Sequence, residues 1–96
     1  MDIHELLREK RDHILQIASR HGVTHIRIFG SAARGESGED SDIDFLIEVN
    51  GPTTPWFPGS LVADLEKLLG RRVDVVEPDG IRKPLRERIL QEAVPL

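Results

Sequence analysis

Apolar side chains recur along residues 2–21 at the spacing of one helical face. They are Ile3, Leu6, Leu7, Ile14, Ile17 and Ala18. Residues three or four apart lie on the same side of an α-helix, so this segment is predicted to be a helix that buries one stripe. Gly22 follows it, and glycine commonly ends a helix. The first predicted element is therefore an amphipathic helix that needs a partner surface.

Two strands are predicted next. Val23–Phe29 is short and rich in β-branched residues, which favours a strand. Ile43–Val49 is apolar nearly throughout, as expected of a strand that is covered on both faces. The segment between them, 30–40, contains three glycines and several polar residues. We therefore predict a loop there, with one helical turn at Ser31–Arg34.

The second half of the chain continues the alternation of helix and strand. Three prolines in 50–59 predict a loop. Ser60 then suits the N-cap of a helix that Gly70 ends. The apolar positions of that helix are Leu61, Leu65, Leu68 and Leu69. Residues 72–76 are predicted to form a third strand.

A last helix is predicted to begin near Pro84, because proline suits the first turn of a helix. Its inward-facing residues are expected to be Leu85, Ile89 and Leu90. Helices that alternate with strands predict an α/β sheet domain. A chain of 96 residues has room for one domain, 1–96, and not for two.

Composition narrows the class of protein without naming a function. Apolar residues make up 39% of the chain and charged residues 31%, an ordinary balance for a globular domain. No apolar run reaches the roughly 18–20 residues that a membrane-spanning helix needs. Cysteine is absent, which excludes disulfides and thiolate chemistry and fits a cytoplasmic protein. The net charge of −4 argues against nonspecific binding to the nucleic-acid backbone. Bridging cations would still allow a polyphosphate to bind.

Three aspartates are candidates for a metal site. Asp42 and Asp44 lie two apart at the start of a predicted strand, so their carboxylates leave the same face. Asp74 adds a third carboxylate inside another apolar strand, where a charge needs a partner. Carboxylates held close together repel one another unless a proton or cation lies between them. This set favours a hard cation such as magnesium; the alternative is that each aspartate marks a strand end and faces water.

Gly30 and Ser31 come directly after the first predicted strand, where the helical turn begins. Glycine lets a ligand approach the backbone closely, and the serine offers a hydroxyl and an amide to a phosphate. Taken alone, this pattern also describes an ordinary turn. Phosphoryl or nucleotidyl transfer needs one part to hold a polyphosphate and another to hold its metal. The turn followed by the carboxylate pair therefore indicates such chemistry.

These residues resemble a known family. Gly30 and Ser31, ten intervening residues and then Asp42-Ile43-Asp44 resemble the GS-x10-D-x-D signature of the polymerase-β-like nucleotidyltransferase superfamily. The sequence of residues 30–47 resembles that of its smallest branch, the minimal nucleotidyltransferase (MNT) domains. The run LLGRRVDVV resembles that branch's third-carboxylate strand, and the segment 84–95 resembles its terminal helix. The resemblance covers nearly the whole chain and implies a small mixed β-sheet flanked by α-helices.

The resemblance implies a catalytic and metal-binding role for three residues. Asp42 and Asp44 would bind two magnesium ions, and Asp74 would complete the site for the ion near the attacking group. An acceptor hydroxyl, deprotonated with help from Asp74 or that ion, would attack the α-phosphorus of a nucleotide and release pyrophosphate.

The same resemblance assigns nucleotide-binding roles. Gly30 and Ser31 would hold the β- and γ-phosphates of the nucleotide, which the family implies to be ATP. Arg34 could neutralise triphosphate charge, although an ordinary surface arginine on a short helical turn fits the sequence nearly as well.

A protein partner is also implied. MNT proteins that resemble this chain act as antitoxins beside helical HEPN-domain toxins, adding AMP to a toxin tyrosine. The chain is too short to hold a separate acceptor-binding domain. The leading hypothesis is therefore magnesium-dependent transfer of AMP from ATP to a tyrosine hydroxyl of a partner HEPN toxin, with no membrane or direct nucleic-acid contact. The alternatives are an antitoxin that neutralises by binding alone and a nucleotidyltransferase that acts on a small molecule such as an antibiotic.

Other conspicuous residues have simpler interpretations. The four histidines show no metal-ligand spacing and are expected to be solvated or packed; they are His4, His13, His21 and His25. Ser41 is expected to be a turn residue. Arg71 and Arg72 could face an anionic site or stabilise a helix C-terminus. Trp56 and Phe57 could close the edge of the core or anchor a partner protein.

Overall fold

The computed structural model describes residues 2–36, 38 and 41–96 of the chain. In chain order its elements are α1 (Ile3–Arg20), β1 (Val23–Phe29), α2 (Ser31–Arg34), β2 (Ile43–Val49), α3 (Gly59–Leu69), β3 (Val73–Val76), a 3-10 turn (Pro78–Gly80), α4 (Lys83–Glu92) and β4 (Val94–Pro95). The predicted strands β1 and β2 and the helical turn α2 are confirmed with their predicted bounds. Of the predicted loop at 30–40, Ser37, Glu39 and Asp40 lie outside the described residues.

Helix α1 forms as its apolar spacing predicts. Asp2 caps its start, and the Asp2 carboxylate accepts a hydrogen bond from the backbone N–H of Glu5 at 2.8 Å. The buried residues of the helix are Ile3, Leu7, Ile14, Ile17 and Ala18. After the helix, Gly22 takes a positive φ of 79°, which turns the chain directly into β1.

The four strands form one mixed sheet in the order β3-β2-β1-β4. β1 pairs antiparallel with β2 and β4, whereas β2 pairs parallel with β3. Helices α1 and α3 contact each other; α1 also contacts β1, and α3 contacts β3. The core lies between these helices and the sheet, where Ile43, Phe45 and Ile47 are buried. The predicted α/β sheet flanked by helices is confirmed.

β2 is covered on both faces, as its nearly continuous apolar sequence predicts. Phe45 projects into the α1–α3 core and is fully buried. Leu46, the next residue, projects from the opposite face and is also buried, although it lies outside that core cluster. Ile89 of α4 is likewise buried outside the cluster. The sheet therefore has a large core on one face and a smaller apolar patch on the other.

The start of α3 differs from its prediction. The helix begins at Gly59, with Pro58 in the N-cap position, so Ser60 lies inside the first turn and the predicted Ser60 cap is wrong. The Ser60 hydroxyl lies instead 3.4 Å from Nδ1 of His21, at the end of α1. Gly70 ends the helix in a left-handed conformation, as predicted.

The end of the chain also differs. Ile89 is buried in α4, but Leu85 is 52% exposed and Leu90 is 38% exposed, so two of the three predicted inward-facing residues are wrong. The helix ends at Glu92, and the next residues form the short strand β4 beside β1 rather than continuing the helix. The third strand begins at Val73, one residue later than predicted. None of the helices that the structure describes is long and apolar enough to cross a membrane.

Candidate active site

The pairing of β2 with β3 brings two of the predicted carboxylates side by side. Asp44 lies directly opposite Asp74 in this parallel pair. Residues opposite each other in neighbouring strands project from the same face of a sheet. The preceding pair, Ile43 and Val73, is buried in the core. Both carboxylates therefore project from the face away from α1 and α3, with Asp44 partly buried and Asp74 exposed.

Asp42 lies just before β2 and is held in a different way. Its Oδ1 atom forms an ion pair with Nε of Arg72 at 3.1 Å. The neighbouring backbone N–H of Ile43 donates a hydrogen bond to the Arg72 carbonyl at 2.9 Å. Asp42 is thus fixed by the residue that precedes β3, whereas Asp44 is fixed by strand pairing.

Electrostatics at Asp44 are unfavourable for a bare carboxylate. Burial raises the pKa of Asp44 above its ordinary value, and the nearby carboxylates of Asp74 and Asp42 raise it further. Arg34 acts in the opposite direction but does not outweigh them. A partly buried carboxylate beside two others has a deficit of positive charge, which a cation would relieve.

These carboxylates fit a magnesium ion in their donor chemistry. They offer oxygen ligands alone, which suits a hard cation. Across residues 2–36, 38 and 41–96, no group of three acidic or histidine side chains lies close enough together to hold a metal ion. Asp42 is paired with Arg72 instead. The structure therefore joins Asp44 with Asp74 directly and leaves Asp42 paired with a side-chain cation.

Gly30 lies against the same carboxylate group. It has a positive φ of 72°, which favours glycine. A Cβ atom added to Gly30 would lie 2.5 Å from Oδ2 of Asp44, far inside van der Waals contact. The adjacent residue Phe29 pairs with Asp44 across β1 and β2. The predicted phosphate-binding turn and the predicted metal ligands are therefore neighbours in space, and only glycine fits at their junction.

Ser31 opens α2 directly after Gly30. The Gly30 carbonyl accepts from the Arg34 N–H at 3.2 Å, and the Ser31 carbonyl accepts from the Glu36 N–H at 2.9 Å. These bonds hold the turn in one conformation. Ser31 is partly exposed, so its hydroxyl is available at the surface beside Gly30.

Arg34 is held between two carboxylates. Its Nε atom donates to Glu36 at 3.0 Å, and its Nη1 atom donates to Glu92 at the end of α4. These two hydrogen bonds raise the pKa of the Arg34 guanidinium, which stays charged. An open cleft of about 450 Å³ adjoins this pair, lined by Arg34, Arg88, Gln91 and Glu92. The charge of Arg34 acts on Asp44, and acidic partners orient its guanidinium; its role towards a nucleotide stays a prediction.

Sequence reasoning missed Glu92. Its contact with Arg34 spans 58 positions in the chain, which no local pattern reveals. One signal was present, because a glutamate at the last position of a helix opposes the helix dipole. A residue that is unfavourable for its own helix often has a partner elsewhere.

Ser41 and Arg71 organise the segment that leads to Asp42. The Ser41 hydroxyl accepts a hydrogen bond from the Gly38 N–H at 3.1 Å, which confirms its predicted role as a turn residue. Arg71 donates to the carbonyls of Gly38 and Ser41. Arg71 contacts backbone carbonyls, whereas Arg72 contacts Asp42. Neither of the two earlier interpretations, facing an anionic site or stabilising a helix C-terminus, therefore describes both arginines.

The other conspicuous residues lie away from the carboxylates. His21 Nε2 contacts Asp64 at 2.8 Å, joining α1 to α3, so its predicted packing role is confirmed. His25 is exposed beside Glu48. Phe57 packs against the core, as one of its two interpretations has it, whereas Trp56 is 77% exposed and its role as a partner anchor stays a prediction.

Known proteins match this chain along most of its length. The family model for the nucleotidyltransferase domain matches residues 10–96. A candidate protein adenylyltransferase of Methanocaldococcus jannaschii is 42% identical over 94 residues, which cover 98% of this chain and 97% of the relative. The protein adenylyltransferase MntA of Thermococcus cleftensis is 37% identical over 82 residues, covering 85% of this chain and 83% of the relative.

Solved structures agree with the fold. A structure described as a candidate minimal nucleotidyltransferase superposes with a TM-score of 0.88 at 46% identity, covering 100% of this chain and 97% of that one. A toxin–antitoxin crystal structure with AMP-PNP superposes with a TM-score of 0.74 at 20% identity, covering 88% of this chain and 69% of that one. The second likeness is evidence for the fold alone.

Proposed function

Because this chain belongs to the nucleotidyltransferase domain family and is a nucleotidyltransferase, we propose that it transfers AMP from ATP to a tyrosine hydroxyl of a partner HEPN toxin and so acts as an antitoxin. One observation carries the proposal. The in-register pair of Asp44 and Asp74 lies directly against the Gly30 turn. That arrangement joins an oxygen-ligand site to a turn that a phosphate can approach, and both are needed for nucleotidyl transfer.

The metal is assigned to the three aspartates. Asp42, Asp44 and Asp74 would hold magnesium, two ions in all, and the strained electrostatics of Asp44 support a cation there. When bound, magnesium neutralises charge on the phosphates and polarises the α-phosphate. Asp42 would bind the metal with the oxygen atoms that now face Arg72, whose Nε atom lies 3.1 Å from Oδ1 of Asp42.

The nucleotide is assigned to the turn between β1 and α2. Gly30 lets the Asp44 carboxylate lie directly against the turn, because a Cβ atom there would collide with it. The β- and γ-phosphates would then lie on the turn beside the proposed metal ligands. Ser31 presents its hydroxyl and amide at the same point. Arg34 supplies a positive charge, and Glu36 and Glu92 set the direction of its guanidinium.

The acceptor is assigned to a second protein. Asp74 lies on β3, an edge strand, and is exposed, so a hydroxyl can approach it from solvent. The tyrosine oxygen attacks the α-phosphorus of ATP and its proton passes to the Asp74 carboxylate. The bond from the α-phosphorus to the bridging oxygen breaks, and pyrophosphate leaves. This chain contains no tyrosine, so a tyrosine acceptor must belong to another molecule.

The names of relatives support this assignment. One relative is named protein adenylyltransferase MntA, and one structure of the same fold is a toxin–antitoxin complex with AMP-PNP. A nucleotide analogue and a protein partner are what AMP transfer to a protein requires.

The test combines the purified chain, magnesium, ATP and a helical toxin of the HEPN type. Mass spectrometry should find AMP increments on tyrosine peptides of the partner, and none with Asp42→Ala/Asp44→Ala. The control Asp12→Ala/Asp79→Ala removes the same charge from two exposed positions and should leave transfer unchanged. The absence of any adduct with the intact chain would disprove AMP transfer. If Asp42→Ala/Asp44→Ala still neutralises the toxin, binding alone is the mechanism.

A further inference from the structure

Two adjacent arginines between α3 and β3 contact the segment that presents Asp42. The Nη2 atom of Arg71 donates to the carbonyl of Ser41 at 2.9 Å and also to the carbonyl of Gly38. The Ser41 N–H donates back to the Gly38 carbonyl at 3.2 Å, and the Ser41 hydroxyl accepts from the Gly38 N–H. One guanidinium thus contacts both Gly38 and Ser41, the residue before Asp42.

Arg72 acts on the next two residues. Its Nε atom lies 3.1 Å from Oδ1 of Asp42, and its carbonyl accepts the Ile43 N–H at 2.9 Å. Together the arginines hold the backbone on both sides of Asp42 and the carboxylate itself. The contacts go mainly to carbonyls of another segment rather than to the last carbonyls of α3. A cation that only stabilised the C-terminus of α3 would not need them.

Asp42 needs such support because the sheet does not supply it. Asp44 is fixed by pairing with Phe29 on one side and with Asp74 on the other. Asp42 precedes the strand and has no place in either ladder. Binding sites lose function when a ligand drifts by about 0.5 Å, so a ligand outside the sheet requires a supporting shell.

We propose that Arg71 is a positioning residue for the metal ligand Asp42, acting through the carbonyls of Gly38 and Ser41, and that Arg72 holds the Asp42 carboxylate until the metal replaces it. The inference rests on the proposed function, because it takes Asp42 to bind magnesium. Both hydrogen bonds come from Nη2, at the far end of the Arg71 side chain, and the lysine side chain ends one atom before that position. Arg72 contributes chiefly charge, so lysine should replace it.

The test measures magnesium binding rather than transfer. Isothermal titration calorimetry of the full chain with AMP-PNP and magnesium should give about 10-fold weaker magnesium affinity for Arg71→Lys and Arg71→Ala, the scale expected for residues that orient metal ligands. Arg72→Lys should stay within about 3-fold of the wild type. Arg8→Ala, an exposed arginine on α1, is the matched control and should change nothing.

A double-mutant cycle separates positioning from general stabilisation. If Arg71 acts through Asp42, Arg71→Lys should weaken magnesium binding in the wild type but not further in an Asp42→Asn background. Equal losses in both backgrounds, or unchanged affinity in folded Arg71→Lys, would overturn the inference. Should both Arg71 variants fail to fold, Ser41→Ala decides the question: about 3-fold weaker binding supports the inference, and unchanged binding overturns it.

The result is distinguishable from a failure of the proposed function. A wild-type chain that binds magnesium with AMP-PNP but modifies no partner refutes AMP transfer and leaves the positioning role intact. Transfer that proceeds normally while Arg71→Lys binds magnesium like the wild type refutes only the positioning role.

Discussion

The two faces of β2 are built from alternating residues of one strand and have different roles: one packs in the core and the other carries the candidate site. Ile43, Phe45 and Ile47 project between α1 and α3 and are buried in the core. Asp44, on the other face, lies among like charges against the Gly30 turn. The alternation lets seven residues anchor the fold and carry the site together. The difference teaches that Asp44 is held in place because the core face anchors its strand.

The largest effect is expected from Asp44→Asn, which changes the site face alone. AMP transfer should fall by about 10³-fold or more, because a metal ligand contributes several kcal/mol to the transition state. Thermal unfolding should show a folded protein. The measurement is the initial rate of transfer to the partner with magnesium and ATP.

Glu48→Gln is the matched control for that change. It lies on the same strand and face and loses the same charge, but it is exposed at the opposite end of β2. Its rate should equal that of the wild type. Equal losses at both positions would mean that the whole face, rather than the carboxylate cluster, sets the rate.

Phe45→Ala changes the core face alone. It should lower the stability of the fold and leave ligand binding by the folded molecules unchanged. Removing a fully buried phenylalanine costs about 3–5 kcal/mol of unfolding free energy. That is a large part of the roughly 5–15 kcal/mol available to a domain. Urea unfolding measures the loss, and the fraction that stays folded should bind magnesium and AMP-PNP normally. A loss below about 1 kcal/mol would show that the core face does not anchor the strand.

The pH dependence of stability tests the electrostatic cost of the site face. Asp44 has a pKa raised above its ordinary value of 3.8, first by burial and then by Asp74 and Asp42. A raised pKa means that the folded state binds the proton more tightly than the unfolded state does. Without metal, the contribution of Asp44 to the unfolding free energy should therefore be greatest below pH 3.8. It should decline as the pH rises through the raised pKa of Asp44.

Urea unfolding of the wild type and Asp44→Asn across that range isolates this contribution. The difference in unfolding free energy should grow in favour of Asp44→Asn as the pH rises, and added magnesium with AMP-PNP should reduce it. A difference that is constant with pH would mean that Asp44 is not electrostatically strained.

The smallest effect is expected at the far end of the sheet, in the loop after β2. Trp56→Ala should change the unfolding free energy by no more than about 0.5 kcal/mol, because the side chain is 77% exposed. Phe57→Ala, its neighbour that packs on the core, should cost more, about 1–2 kcal/mol. Urea unfolding compares the two. A large loss at Trp56 would place it in the core and contradict the division described above.

Local patterns were sufficient for the parts of the molecule that local forces determine. The spacing of apolar residues predicted α1. β-branched residues predicted β1, and a nearly continuous apolar run predicted β2, both with their bounds. The motif identified Gly30, Asp42 and Asp44. Gly30 follows the end of β1 and Asp44 lies near the start of β2, and these two strands pair with each other. These features depend on neighbours in sequence or on the strong rule that one strand pairs with the next.

Contacts between distant segments could not be predicted in the same way. Leu85 has the spacing of a buried residue, but α4 is tied to the sheet near its C-terminal end, through Glu92 and β4, so its first turn stays exposed. Ser60 has the chemistry of an N-cap, yet the chain enters the helix two residues earlier. The partner of Arg34 lies 58 positions away. In each case the missing information is which surface an element meets.

The pairing of Asp44 with Asp74 has one more consequence. A slip of one residue between β2 and β3 would turn Asp74 towards the α1–α3 core and bring Val73 and Val75 to the outside. A misaligned chain would bury a charge among hydrocarbons and could not persist as a compact molecule. Purified protein should therefore contain few molecules that are folded yet incompetent. Titrating the site with AMP-PNP would then count the correctly assembled chains in a preparation, as an assay of yield.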